Sequence, residues 1–151
     1  MKILNPRVGM LSNHEVLVHI TAMKARYTEI HHRVGGAHAM KAENLETVMK
    51  EVRDYLLVSP CASQTDGQIS TFMEAVSAWP LEKGELLQIV NERPETIAEL
   101  DCIVEEMDTR FDESVQVEIL ATVKRLLPPK PLGGVGSADG GDMAAGAGEA
   151  Q

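Results

Sequence analysis

Aromatic residues make up only 3% of this chain of 151 residues: two Phe, two Tyr and one Trp. Few rings are left to stack on bases or sugars, which weighs against single-strand nucleic-acid recognition. Cysteine is scarce as well. Cys61 and Cys102 stand far apart with no C-x-x-C spacing, so neither a disulfide framework nor a zinc knuckle has support, and both read as small buried hydrophobes. No apolar run approaches the roughly 18–20 residues that a membrane-spanning helix needs. The opening "MKILNPRVGM" is interrupted by Pro6, Arg7 and Gly9 before it could act as a secretory apolar core, which predicts a cytosolic or nuclear protein with no membrane contact. Strand patterns are missing except for "KIL" at residues 2–4, which could add to a partner's sheet edge. There is no repeat of roughly 20–50 residues. Neither G-x-G-x-x-G, a phosphate loop, G-x-S-x-G nor H-E-x-x-H occurs, and "GGVGSADGG" has no strand before it or helix after it. Enzymatic activity and a cofactor are therefore not expected.

Basic charge is short where it would matter for nucleic acid. The net charge is -9, and residues 66–127 account for it with fourteen Asp/Glu against five Lys/Arg. Residues 1–65 carry +2 and residues 128–151 carry -2. Phosphate backbones bind through Lys and Arg that displace counterions, so the acidic half would repel DNA or RNA and would attract a basic protein.

What the chain does have is 44% hydrophobic residues, mostly aliphatic, with eight Met: enough for a core in one domain with an appendage. "LSNHEVL" opens with a capping box, Ser12-x-x-Glu15, and Val16, Ile20, Met23 and Tyr27 follow on one helical face. Residues 28–43 lose the period and contain Gly35-Gly36, which reads as a loop. "NLETVMKEVRDYLLV" restores it through Leu45, Val48, Val52, Tyr55 and Leu56. Four short helical patterns come next: one around Ile69, Phe72, Met73 and Val76; one over residues 81–91; one using Ile97, Leu100, Ile103, Val104 and Met107; and one from an Asp112 cap to Leu127, halted by Pro128-Pro129. Pro94 suits the entry to the third. With connections of about 3–6 residues these must pack as a compact bundle. Beyond Pro131 the segment holds seven of the twelve Gly and little to bury, which predicts a flexible tail.

His31, His32 and His38 are the best metal candidates, but adjacent loop histidines rarely converge and no Cys or spaced carboxylate completes a set. The acids Glu99, Asp101, Glu105, Glu106, Asp108, Asp112 and Glu113 lie opposite Leu100, Ile103, Val104 and Met107, with Glu99 and Glu106 on a shared face. They read as a wet helix side or as an acidic docking face, and no second element converges on them for acid–base work or magnesium. The apolar stripes of the first two helices must be covered either by the bundle or by a partner subunit.

"LSNHEVL", a regular second helix, "LEKGELLQIVNERP", "ELDCIVEEMDTRFDE" and a last helix ending at Pro-Pro, in that order over residues 1–129, resemble the family of small stalk subunits of RNA polymerases. The likeness is to the polymerase III members, with counterparts in polymerase II and the archaeal enzyme. It implies an all-α chain: residues 1–62 as a helical segment clamping a partner, residues 63–129 as a bundle of the helicase-and-RNase-D C-terminal (HRDC-like) type, and residues 130–151 as a disordered tail. The implied role is non-catalytic: a nuclear subunit that pairs with the larger stalk subunit, joins the polymerase III core and supports initiation on tRNA and 5S rRNA genes through basic regions of initiation factors. Ile3, Leu4, Leu11, Val16, Leu17, Ile20, Met23, Val48 and Val52 would face the larger subunit; Glu99, Glu105, Glu106 and Asp108 would face initiation factors. Relatives commonly have Ala where this chain has Gly84, which loosens that helix start by up to about 1 kcal/mol. Members have also been named as receptor components, which suggests a signalling accessory protein as a second function, although no lipidation motif or basic amphipathic helix accompanies it.

Overall fold

The computed structural model describes residues 4, 8–34 and 43–131. Along the chain run α1 (Asn13–Val34), α2 (Glu43–Leu57), a 3-10 turn (Pro60–Ser63), α3 (Asp66–Val76), α4 (Lys83–Glu92), α5 (Ile97–Asp101), α6 (Met107–Arg110) and α7 (Glu113–Leu126). The fold is all-helical, with no strand among the described residues. The "KIL" segment, the loop centre with His38 and the tail from residue 132 lie outside them.

Helix starts are set by side chains that answer the unpaired first-turn amides. The Ser12 amide donates to Glu15 Oε2 at 2.7 Å and the Glu15 amide donates to Ser12 Oγ at 3.2 Å, the expected capping box. The Ser12 amide and the Ser12 hydroxyl, both donating to the Glu15 carboxylate, hold it below its ordinary value. Thr65 and Gln68 repeat the device at α3, and the Glu99 amide donates to Thr96 Oγ1 at 3.2 Å at α5. Asp112 stands at the N-cap of α7 as expected, but its side chain makes no capping bond.

The core forms on α7. Ile119 and Val123 have no exposure; around them close Phe72 and Val76 of α3, Ile89 and Val90 of α4, Leu100 of α5, and Met107 and Phe111. Each such side chain contributes about 1.5–3 kcal/mol relative to exposure. Every member of this cluster comes from residues 72–127. The hairpin of α1 and α2 packs on itself and on the 3-10 turn, and that turn in turn packs on α4.

The structure departs from the sequence expectations at three places. First, α1 continues through residues 28–34, read above as loop. The missing hydrophobic period there marks helix whose described side chains are exposed, and no breaker occurs before Gly35; Thr28 Oγ1 donates to Lys24 O at 2.9 Å within the helix. Second, the expected helix over residues 97–107 is two pieces. α5 stops at Asp101, and Glu106 takes a left-handed conformation with φ 50°, which re-aims the chain so that Met107 and Phe111 both enter the core. The left-handed residue costs roughly 1–2 kcal/mol, less than the two burials return. Glu99 and Glu106 therefore do not share one helix face. Third, Cys102 is exposed, because it caps α5 where the chain turns, whereas Cys61 is buried as expected.

Gly84, in the first turn of α4, has open space where a Cβ would stand. Gly84→Ala should therefore raise stability by about 0.4–1 kcal/mol through the unfolded state, read as a higher midpoint in urea; an unchanged or lower midpoint would contradict the unobstructed geometry.

Candidate functional site

The two blocks "LSNHEVL" and "LEKGELLQIVNERP", far apart in the chain, meet in space. The Asn13 amide at the start of α1 donates to Asn91 Oδ1 at the end of α4, at 2.8 Å. His14, buried beside it, places Nδ1 3.3 Å from the Cys61 carbonyl of the 3-10 turn and Nε2 3.2 Å from Asp66 Oδ1 of α3. Gln64 Nε2 donates to Val90 O at 2.7 Å. Burial pushes the Cys61 thiol up from its ordinary value, so it acts here as packing and not as a nucleophile. One joint thus ties the hairpin to the bundle through α1, the 3-10 turn, α3 and α4.

The "NERP" break is more than a turn. Arg93 caps α4 in a left-handed conformation (φ 47°) and its side chain is buried: Nε donates to Leu127 O at 3.3 Å at the end of α7, and Nη1 pairs with Glu95 Oε1 at 2.6 Å. Pattern reading found the turn and missed this staple; an Arg between two buried apolar runs, just before Pro, was the available signal.

A second knot closes the other end of the bundle. The Glu85 carboxylate, buried on α4, receives Arg110 Nη1 at 2.5 Å and Nη2 at 3.1 Å, the Glu105 amide at 3.1 Å and the Glu82 amide at 2.7 Å. Arg110 also donates to the carbonyls of Pro80 and Glu105. The Arg110 guanidinium holds the Glu85 carboxyl below the usual carboxylate range, and the carboxylate raises Arg110 in return.

Beyond these joints the hairpin displays apolar surface. Of the residues expected to face a partner, Leu4, Leu11 and Val48 are exposed, Val16, Leu17, Ile20, Met23 and Val52 are half-buried, and Ile3 lies outside the described residues. Tyr27, Tyr55, Leu45 and Val58 are exposed alongside them, as are Val8, Met10 and Val18, which periodicity alone did not single out. The acids Glu99, Glu105, Glu106 and Asp108 are all exposed, but they are spread over α5, the turn and α6. The Glu95 amide donates to Glu99 at 2.6 Å and holds its carboxyl low. Among the described residues no group of three or more His, Cys, Asp or Glu could hold a metal ion, and His32 belongs to α1. No helix among them is long and apolar enough to cross a membrane. The arrangement offers surfaces and joints.

The same span carries a family signature. The family model described as RNA polymerase Rpb4 matches residues 10–127, from the lead into α1 to the end of α7. The chain belongs to the RNA polymerase Rpb4 family. Among curated relatives it is 28% identical over 129 residues to the DNA-directed RNA polymerase III subunit rpc9 of Schizosaccharomyces pombe, covering 85% of this chain and all of that one. It is 24% identical over 157 aligned positions to the DNA-directed RNA polymerase III subunit RPC9 of Saccharomyces cerevisiae, covering 82% of this chain and 98% of that one. The Rpb4-family match includes both the hairpin and the bundle, so the joint between them lies inside the family unit.

Acid should loosen the Glu85 knot. Because the folded carboxyl titrates below its ordinary value of 4.5, its stabilisation is complete above that pH and is lost as pH falls through the lower folded value. Glu85→Gln should cost about 1–3 kcal/mol at neutral pH, and its stability curve should approach the parent's progressively as pH falls below 4.5. Curves that stay parallel from pH 7 to pH 3 would contradict this account of the knot.

Proposed function

We propose that this chain is a non-catalytic stalk subunit of nuclear RNA polymerase III. Residues 1–62 clamp the larger stalk subunit, and residues 63–129 form an HRDC-like bundle turned toward basic regions of initiation factors, in support of initiation on tRNA and 5S rRNA genes. One observation carries the reading: the bundle core draws every buried member from residues 72–127, and the hairpin keeps Leu45, Val48, Tyr55 and Tyr27 at 44–63% exposure. A surface helix pair with this much uncovered apolar area fits an obligate partner. The names of the matched relatives support polymerase III as the assembly, and they lend nothing to a receptor-associated role.

The acidic bundle supports a protein-facing and not a nucleic-acid-facing role, with fourteen acids against five bases over residues 66–127. RNA contact in such a stalk falls to the partner subunit.

Val16→Asp with Ile20→Asp places two charges on the α1 stripe, where pairing would have to desolvate them. Affinity for the larger stalk subunit should drop at least a hundredfold, equivalent to about 3 kcal/mol, while the thermal unfolding of the bundle is unchanged. Retention of the partner by the double variant sinks the clamp assignment, and tagged parent protein that brings down no polymerase III subunits sinks the whole reading.

A further inference from the structure

Between α3 and α4 lies an open groove of about 540 Å³. Its walls are largely apolar: Ile69 and Met73 from α3, Leu86, Leu87 and Val90 from α4, and Met10 where the chain enters α1. Ile69 and Met73 are four residues apart, as are Leu86 and Val90, so each helix lends one stripe. Asp66 and Met73 both line it, seven residues apart, which gives a length of roughly 10 Å, enough for about two turns of a docked helix. Met73 is 39% exposed and Met10 is 72% exposed. Thioether side chains at such a rim adapt to an entering apolar group.

Charge selects the occupant. The groove's charged residues are Glu15, Asp66 and Lys83. Residues 66–92, which build both walls and their connector, hold five acids and one base, and of the acids only Glu85 is paired with an arginine. The field over the groove is negative, so an acidic segment is repelled and a cationic one is steered in.

We propose that the groove between α3 and α4 seats an amphipathic helix of a protein partner, with apolar anchors at i, i+3 or i+4, and i+7 against Ile69, Met73, Leu86 and Leu87, and with Lys or Arg on its flanks toward Glu15 and Asp66. This is the helix-in-groove mode of recognition. It rests on the reading that basic regions of factors dock on the bundle, and it moves the contact from the acid run of residues 99–108 to the groove. It is independent of the α1–α2 clamp.

The test uses the isotope-labelled full chain and two synthetic 18-residue helices with the same leucine stripe, one flanked by Lys and one by Glu. The Lys-flanked peptide should shift the methyl signals of Ile69, Met73, Leu86 and Leu87. Met73→Asp and Leu87→Asp should each weaken it at least tenfold; the exposed Met73 position lets that variant keep the parent's melting temperature, which separates lost docking from lost folding. Glu105→Lys with Glu106→Lys and Asp108→Lys should change affinity less than threefold. The Glu-flanked peptide should bind at least tenfold more weakly. The proposal is overturned by shifts confined to residues 99–108 or to α1 and α2, by equal binding of both peptides, by groove variants that bind like the parent, or by no binding of the Lys-flanked peptide. The Val16→Asp, Ile20→Asp variant should bind the peptide as the parent does, so failure of groove docking and failure of stalk pairing read out separately.

Discussion

Ile119 and Val123 of α7, neither of them exposed, are the floor onto which α3, α4, α5 and α6 close. Because five helices from residues 66–126 satisfy that floor among themselves, no room is left on it for α1 or α2. The apolar stripes of the hairpin are therefore left half-covered by construction. Completing one core within the C-terminal part of the chain is what leaves the N-terminal part with exposed apolar side chains.

The hairpin is nevertheless not loose. Asn91 and Asp66 of the bundle and the Cys61 carbonyl of the 3-10 turn hold the first turn of α1 at fixed points. The joint is polar and short-range, with each bond of the ordinary net worth of about 0.5–1.5 kcal/mol, and buried groups make its loss more costly than its presence is favourable. Such a joint gives α1 and α2 a defined direction relative to the bundle. Arg93 at one end and the Glu85–Arg110 knot at the other fix the helix connections on which that geometry rests.

Much of this was legible in the residues, and the rest has physical causes. The capping box of Ser12 and Glu15, the regular α2 and the turn at "NERP" all follow from local chemistry that acts within a few positions. The reach of α1 to Val34 was not visible, since periodicity reports burial and the described side chains of residues 28–33 are exposed. The break at residues 102–106 was not visible either: it exists because Glu85, some twenty positions earlier, captures the Glu105 amide and because Phe111 needs the core. Asn91 and His14 were inside quoted blocks, but only the fold shows that the two blocks touch.

Hydrogen exchange of α1 and α2, measured in the free chain and in complex with the larger stalk subunit, tests the central claim most directly. The account predicts that amides facing the exposed stripe slow by at least tenfold on complex formation, while those of α7, already protected by the core, keep their rates. Equal rates in α1 and α2 with and without the partner, or free-chain rates in the hairpin as slow as those of α7, would contradict it.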